Sequence, residues 1–149
     1  MDAIGSGRHM SDVIALEDAE VCEIPFQELE QLSRAIPALQ QHFHRIMSRE
    51  IARDYGVMLL LGSMRAEERL AAFLLNLSQR FAARGYSSTR FHLRMTREEI
   101  GSYLGLKLET ISRTFSHFQS DQLISVQNKD VEIKDVARLR ALIGQNAPR

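Results

Sequence analysis

The sequence predicts an α+β fold, and three observations carry that expectation. A long helical pattern over residues 38–61 repeats its inward positions every 3.5 residues. Two short helical patterns flank a glycine between residues 97 and 120. Two short strand-like runs, LISVQ and VEIK, follow them directly.

Length and composition bound the rest. At 149 residues the chain has room for one domain or two small ones, and 44% apolar residues suffice for a core. The longest apolar stretch, VMLLL, falls far short of the roughly 18 residues that suggest a membrane span. The opening MDAIGSGRHM lacks the charged-then-apolar layout of a secretory signal. A single cysteine, Cys22, cannot form an internal disulfide and points to a reducing, cytoplasmic setting. His9, His42, His44, His92 and His117 show no paired Cys/His spacing of a zinc site. Nothing suggests an enzyme: Cys22 has no evident histidine partner and the acids are dispersed.

A formal net charge of zero hides an asymmetry. Residues 1–50 hold nine acids and four Lys/Arg, whereas residues 80–117 hold seven Lys/Arg and three acids. A basic segment in a neutral chain suits either a local polyanion footprint or a merely solvated surface.

The elements follow in order. DAIGSG has the look of a strand-and-turn fragment, and VIAL and AEVCEIPF read as strands, the second closed by Pro25. FQELEQLSRAI reads as a short helix ending near Pro37. The long pattern places Gln40, His44, Met47, Ile51, Asp54, Met58 and Leu61 in steps of four and three, the spacing of a coiled-coil seam. A parallel self-pair would set Asp54 against its symmetry mate. Two carboxylates so placed repel, so pairing is weak, or one takes a proton, or Asp54 stays wet at the rim.

GSMRAEERLAAFLLNLSQRFAARG predicts another helix. Ser63 is the expected cap, Leu70, Phe73, Leu74, Leu77 and Phe81 form its apolar face, and Gly85 stops it. RFHLRM reads as a short strand. Thr96 and Glu99 form a capping box for a helix over about 97–104, and a second helix runs from about Leu108 to Ser120. NKD joins LISVQ to VEIK as a hairpin, the wing of a winged helix-turn-helix. DVARLRALIG closes as a helix capped by Asp135 and ended by Gly144.

The helix pair carries the chemistry. Gly101 permits close packing and Gly105 supplies a turn residue that tolerates positive φ. Ile100, Leu104, Leu106 and Ile111 form the apolar lock. Glu109, Ser112, Arg113 and Ser116 share one face of the second helix, opposite Ile111, Phe115 and Phe118. Arginine can donate twice to guanine, glutamate can accept from cytosine N4, and serine suits several bases. Thr96, Arg97, Lys107 and Thr110 are the expected phosphate contacts. The expected partner is double-stranded DNA, with a winged helix used only for protein contact as the alternative.

Five stretches, DAIGSG, VCEIPF, AEERLAAFLLNLSQRFAARG, FHLRMTREEIGSYLGL and ETISR, resemble the C-terminal two-thirds of the bacterial fumarate–nitrate reduction regulators, within the CRP/FNR superfamily. The resemblance spans residues 2 to about 143. It implies a remnant of a sensory β-roll over residues 1–37, a dimerisation helix over 38–62 and a winged-helix DNA-binding domain over 63–149. It implies that Glu109, Ser112 and Arg113 read a TTGAT half-site within a palindrome bound by a homodimer. The cyclic-AMP receptor differs where Ser112 stands, which favours the oxygen-responsive branch. The dimer contact maps to Met47, Ile51 and Met58, with Asp54 as its charged brake. The surface from Arg84 to Thr89 resembles a contact region for RNA polymerase.

Cys22 matches one ligand of the family's 4Fe-4S cluster, whose assembly would tighten the seam and whose loss to oxygen would release it. The other three cluster cysteines and the first half of the β-roll have no counterpart here. A four-iron cluster takes four protein ligands, so this chain is expected to be a truncated or misassigned form, or one whose sensor is missing, and to carry no cluster by itself. The arginine–serine pair that grips cyclic AMP has no match near GRHMSD. A regulator of the same superfamily answering another effector remains the nearer alternative.

Overall fold

The structure, a computed structural model, describes residues 6–144, except the side chains of residues 53, 59–61 and 144. Most of DAIGSG and the side chain of Leu61 therefore lie outside the described residues. The chain forms two compact units, residues 1–56 and 57–149.

In the first unit, residues 7–25 carry no strand. The strands expected in VIAL and AEVCEIPF do not form, although their β-branched residues favour extended backbone. A strand needs a hydrogen-bonded neighbour, and the described residues offer this segment none. Its apolar side chains stay in solvent, with Val13 95% and Val21 88% exposed. Helix α1 covers Phe26–Ala35, as its pattern predicted. The Pro25 carbonyl accepts the N–H groups of Glu28 and Leu29, both at 3.1 Å, which starts the helix. Ile36 ends it in extended backbone because the following proline disfavours helix before it.

Helix α2 covers Pro37–Ser63, with proline in the first helical position. Phe26 of α1 and Phe43 of α2 meet with ring centroids 6.5 Å apart. Ser63 is the last residue of α2 and not the cap of the next helix. Helix α3 covers Ala66–Ala82, and the Glu68 carboxylate accepts the Arg65 N–H at 2.9 Å where a serine cap was expected. Gly85 (φ +81°) ends it: Tyr86 N–H reaches Phe81 O and Gly85 N–H reaches Ala82 O, each at 3.0 Å.

Strand β1 covers Arg90–His92, α4 Arg97–Leu104, α5 Leu108–Ser120, β2 Ile124–Gln127, β3 Asp130–Ile133 and α6 Val136–Gly144. The expected wing hairpin is β2–β3, turning through Asn128 at φ 57°. Strand β1 adds to β3, giving an antiparallel sheet in the order β1-β3-β2. Asp135 caps α6 by accepting the Arg138 N–H at 2.9 Å.

Leu70 and Leu74 of α3, Ile100 and Leu104 of α4, Ile111 and Phe115 of α5 and Leu139 of α6 pack over Val131 of the sheet. Each such side chain is worth roughly 1.5–3 kcal/mol on burial. That apolar stripe seats the inner face of α5. No helix among the described residues is long and apolar enough to cross a membrane.

Candidate nucleic-acid interface

The first helix of the pair starts with a reciprocal cap. Thr96 Oγ1 accepts the Glu99 N–H at 3.2 Å, and the Glu99 carboxylate accepts the Thr96 N–H at 2.6 Å. That backbone N–H, followed by the Thr96 hydroxyl, holds the Glu99 carboxyl below the usual carboxylate range.

The same helix ends at Gly105, left-handed at φ 61° and ψ 39°. Leu106 N–H donates to Gly101 O at 2.8 Å across the turn. A Cβ on Gly101 would stand 2.6 Å from Leu106 O and 3.5 Å from Ile111 Cγ1. The close approach that requires glycine is therefore to the backbone of the turn first and to α5 second.

Helix α5 has two unlike faces. Ile111, Thr114, Phe115 and Phe118 are buried, and Thr114 hides its hydroxyl by donating to Thr110 O at 2.8 Å. Lys107, Glu109, Ser112, Arg113 and Ser116 are exposed, and Thr110 is half-buried beside them. Glu109, Ser112 and Arg113 thus emerge together, three and one residues apart on one solvent face. Ser116 Oγ donates to Ser112 O at 3.1 Å, so its hydroxyl is partly engaged by its own helix.

Two devices fix the far end of α5. His117 bridges Glu67 of α3 at 3.0 Å and Asp121 at 3.5 Å. Gln122 takes up φ 57°, letting Leu123 N–H reach Phe118 O at 2.9 Å and Gln122 N–H reach Gln119 O at 3.0 Å. This is the glycine-type helix ending made by a glutamine.

Arg97 differs from the other expected phosphate contacts. Its guanidinium carbon lies 3.1 Å from the centroid of the Phe115 ring, and Nη1 is buried without a partner. Burial pulls this guanidinium down to about 10. Sequence reasoning missed this packing, since nothing in TREEIG marks a cation as half-buried.

The wing is laced by surface ion pairs. Arg90 meets Glu132 at 2.9 Å, Lys134 meets the same carboxylate at 2.6 Å, and His92 meets Asp130 at 2.7 Å. Gln119 Oε1 accepts the Val126 N–H at 3.2 Å, tying α5 to β2. The loop from Arg84 to Ser88 is exposed, while Ser78 Oγ donates to Ser88 O at 2.6 Å and pins its end.

The other expected site residues lie on α2 or before α1. Met47 is half-buried, Ile51 and Met58 are 54% and 62% exposed, and Asp54 is exposed. Cys22 is exposed, and among the described residues no three His, Cys, Asp or Glu converge as metal ligands.

The Crp-like helix-turn-helix domain matches residues 68–142. The chain is 53% identical over 147 residues to the transcriptional regulatory protein btr of Bordetella pertussis, covering 99% of this chain and 61% of btr. It is 52% identical to the fumarate and nitrate reduction regulatory protein of Salmonella typhimurium, covering 96% of this chain and 57% of that one. The chain thus spans about 60% of the length of the curated relatives it matches. Among solved structures, FixK2 from Bradyrhizobium japonicum superposes with a TM-score of 0.74 at 29% identity, over 81% of this chain and 60% of that one. A CRP/FNR-family regulator from Thermus thermophilus shares the fold with a TM-score of 0.62 at 20% identity, over 75% of this chain and 57% of that one. The helix pair joined at Gly105, the wing and these likenesses agree: the chain belongs to the CRP/FNR family, a family of transcription regulators and not of enzymes.

Proposed function

We propose that the chain is a cytoplasmic transcription regulator that lays α5 in the major groove and works as a homodimer on a palindrome of TTGAT-like half-sites. The observation that supports this most is the joint exposure of Glu109, Ser112 and Arg113 on a helix whose other face is locked into the core. Arg113 donates twice to a guanine edge, Glu109 accepts from a cytosine amine, and Ser112 adapts its hydroxyl. Lys107, Thr110 and Thr96 approach phosphates, aided by the backbone N–H groups that open α5. Arg97, stacked on the Phe115 ring, completes the expected phosphate contacts.

The dimer forms along α2 through Met47, Ile51 and Met58, and Asp54 weakens it by meeting its own copy. Two recognition helices then reach half-sites about one helical turn apart. The exposed loop from Arg84 offers RNA polymerase a contact surface. Relatives named for fumarate and nitrate reduction favour an oxygen-responsive role in a longer protein. The residues of this chain do not by themselves fit a 4Fe-4S cluster, which takes four protein ligands: Cys22 is the one cysteine in the sequence, and three ligands would have to come from elsewhere.

The test is a binding titration of the chain on a TTGAT palindrome and on a scrambled duplex across a range of salt. The expected result is preference for the palindrome, with affinity falling as salt rises. Equal binding to both duplexes, or no binding at any protein concentration, refutes the reading.

A further inference from the structure

The joint between α2 and α3 consists of Met64 and Arg65, and their shared peptide unit is held at both polar ends. Its N–H donates to Glu68 Oε2 at 2.9 Å, and its carbonyl accepts from Arg69 Nε at 2.8 Å. Both side chains belong to the first turns of α3. Glu68 is only 6% exposed, so its grip is shielded from water. Arg69 also donates from Nη1 to Leu104 O at 3.0 Å. Leu104 is the last residue of α4, just before the left-handed Gly105. A guanidinium is planar and always charged, so one rigid fork spans the joint and the end of the first helix of the pair. All these groups lie within the unit of residues 57–149.

We propose that Glu68 and Arg69 are positioning residues: they fix the α2–α3 joint against the helix-turn-helix and thereby set the half-site spacing that the dimer accepts. This rests on the dimeric DNA-binding reading above. The lever is long. Helix α3 has 17 residues, about 25 Å at 1.5 Å per residue, so a swing of about 8° at the joint moves its far end by ~3.5 Å, the rise of one base pair, and a free joint must also take up the roughly 35° of twist that each base pair adds. A free joint would let each recognition helix find a displaced half-site, whereas a fixed peptide plane would not.

The experiment measures affinity for palindromes with the best spacing, with one base pair inserted, and for a single half-site. The wild type is expected to lose about tenfold or more on insertion, because only one half-site stays in register. Arg69→Met is expected to shrink that loss to about threefold or less while half-site affinity holds, since the base-reading face is untouched. Glu68→Ala should relax spacing likewise, and Glu68→Gln, whose amide oxygen still accepts, should restore the strict preference. Arg69→Lys serves if Arg69→Met fails to fold, because a single ammonium replaces the two-nitrogen fork and spacing again relaxes. A spacing preference as strict as wild type in a folded Arg69 variant overturns the proposal. So does loss of half-site affinity equal to loss on the palindrome, which marks a merely structural role. A wild type that binds both spacings equally removes the dimer reading and the clamp with it, whereas binding to no duplex removes DNA reading altogether.

Discussion

Replacing Gly101 by alanine sets two effects against each other. In an exposed helix interior the change would stabilise by about 1 kcal/mol, because glycine loses more backbone freedom on folding. Here the new Cβ would stand 2.6 Å from Leu106 O, a distance real Cβ atoms essentially never show. The obstacle is backbone, held by Leu106 N–H bonded to Gly101 O at 2.8 Å, so it cannot swing aside as a side-chain tip would. Overpacking of this kind costs about 1–3 kcal/mol, and distorting the turn's hydrogen bond adds about 1 kcal/mol. The sum, less the propensity gain, is a loss of roughly 1–3 kcal/mol. In a unit of fewer than a hundred residues each kcal/mol moves Tm by about 4–8 °C, so Tm should fall by roughly 5–20 °C. Thermal unfolding followed by circular dichroism measures this. An unchanged or raised Tm would refute the claim that close approach at the turn demands glycine.

Further outcomes follow from other residues. Gln122 at φ 57° carries left-handed strain, so Gln122→Gly should stabilise by about 0.5–1 kcal/mol in urea melts, and a loss would contradict the assigned helix ending. Thr96→Ala should cost about 1 kcal/mol by removing the cap. Because the Glu99 carboxyl is held below its ordinary value of 4.5, its contribution is full above that value and fades as pH drops through the lowered one. The stability gap between wild type and Glu99→Gln should therefore narrow in acid, and a gap constant from pH 7 to pH 2 would sink the carboxylate's part in the cap. Asp54→Ala should raise the dimer fraction in sedimentation, and an unchanged monomer fraction removes the brake.

Much of the helix-turn-helix was legible because its signals are local. Thr96–Glu99, Gly105 and Asp135 act within one turn of themselves, and a cap or a left-handed glycine needs no distant partner to be read. What escaped depends on tertiary context. The VIAL and AEVCEIPF strands had the right residues but no neighbouring strand among the described residues, so propensity alone did not make them. Ser63 is a good cap type, yet α2 runs on through it and the Glu68 carboxylate does that work instead. The end of α5 was placed correctly, but no glycine announced that Gln122 would adopt the left-handed turn. Of the candidate site, the solvent face of α5 followed from helical periodicity. The packing of Arg97 over Phe115 and the reach of Arg69 to Leu104 did not, since each joins residues 18 or more positions apart.

The central claim is that Arg113 reads a base, and its most direct measurement pairs protein and DNA changes. Affinities of wild type and Arg113→Ala are compared on the TTGAT palindrome and on one whose guanine is replaced in both half-sites. Wild type should lose about 1–3 kcal/mol per half-site on guanine replacement, and Arg113→Ala should bind both duplexes equally, at the weaker level. If Arg113→Ala retains the full preference for guanine, base reading by this helix face is contradicted.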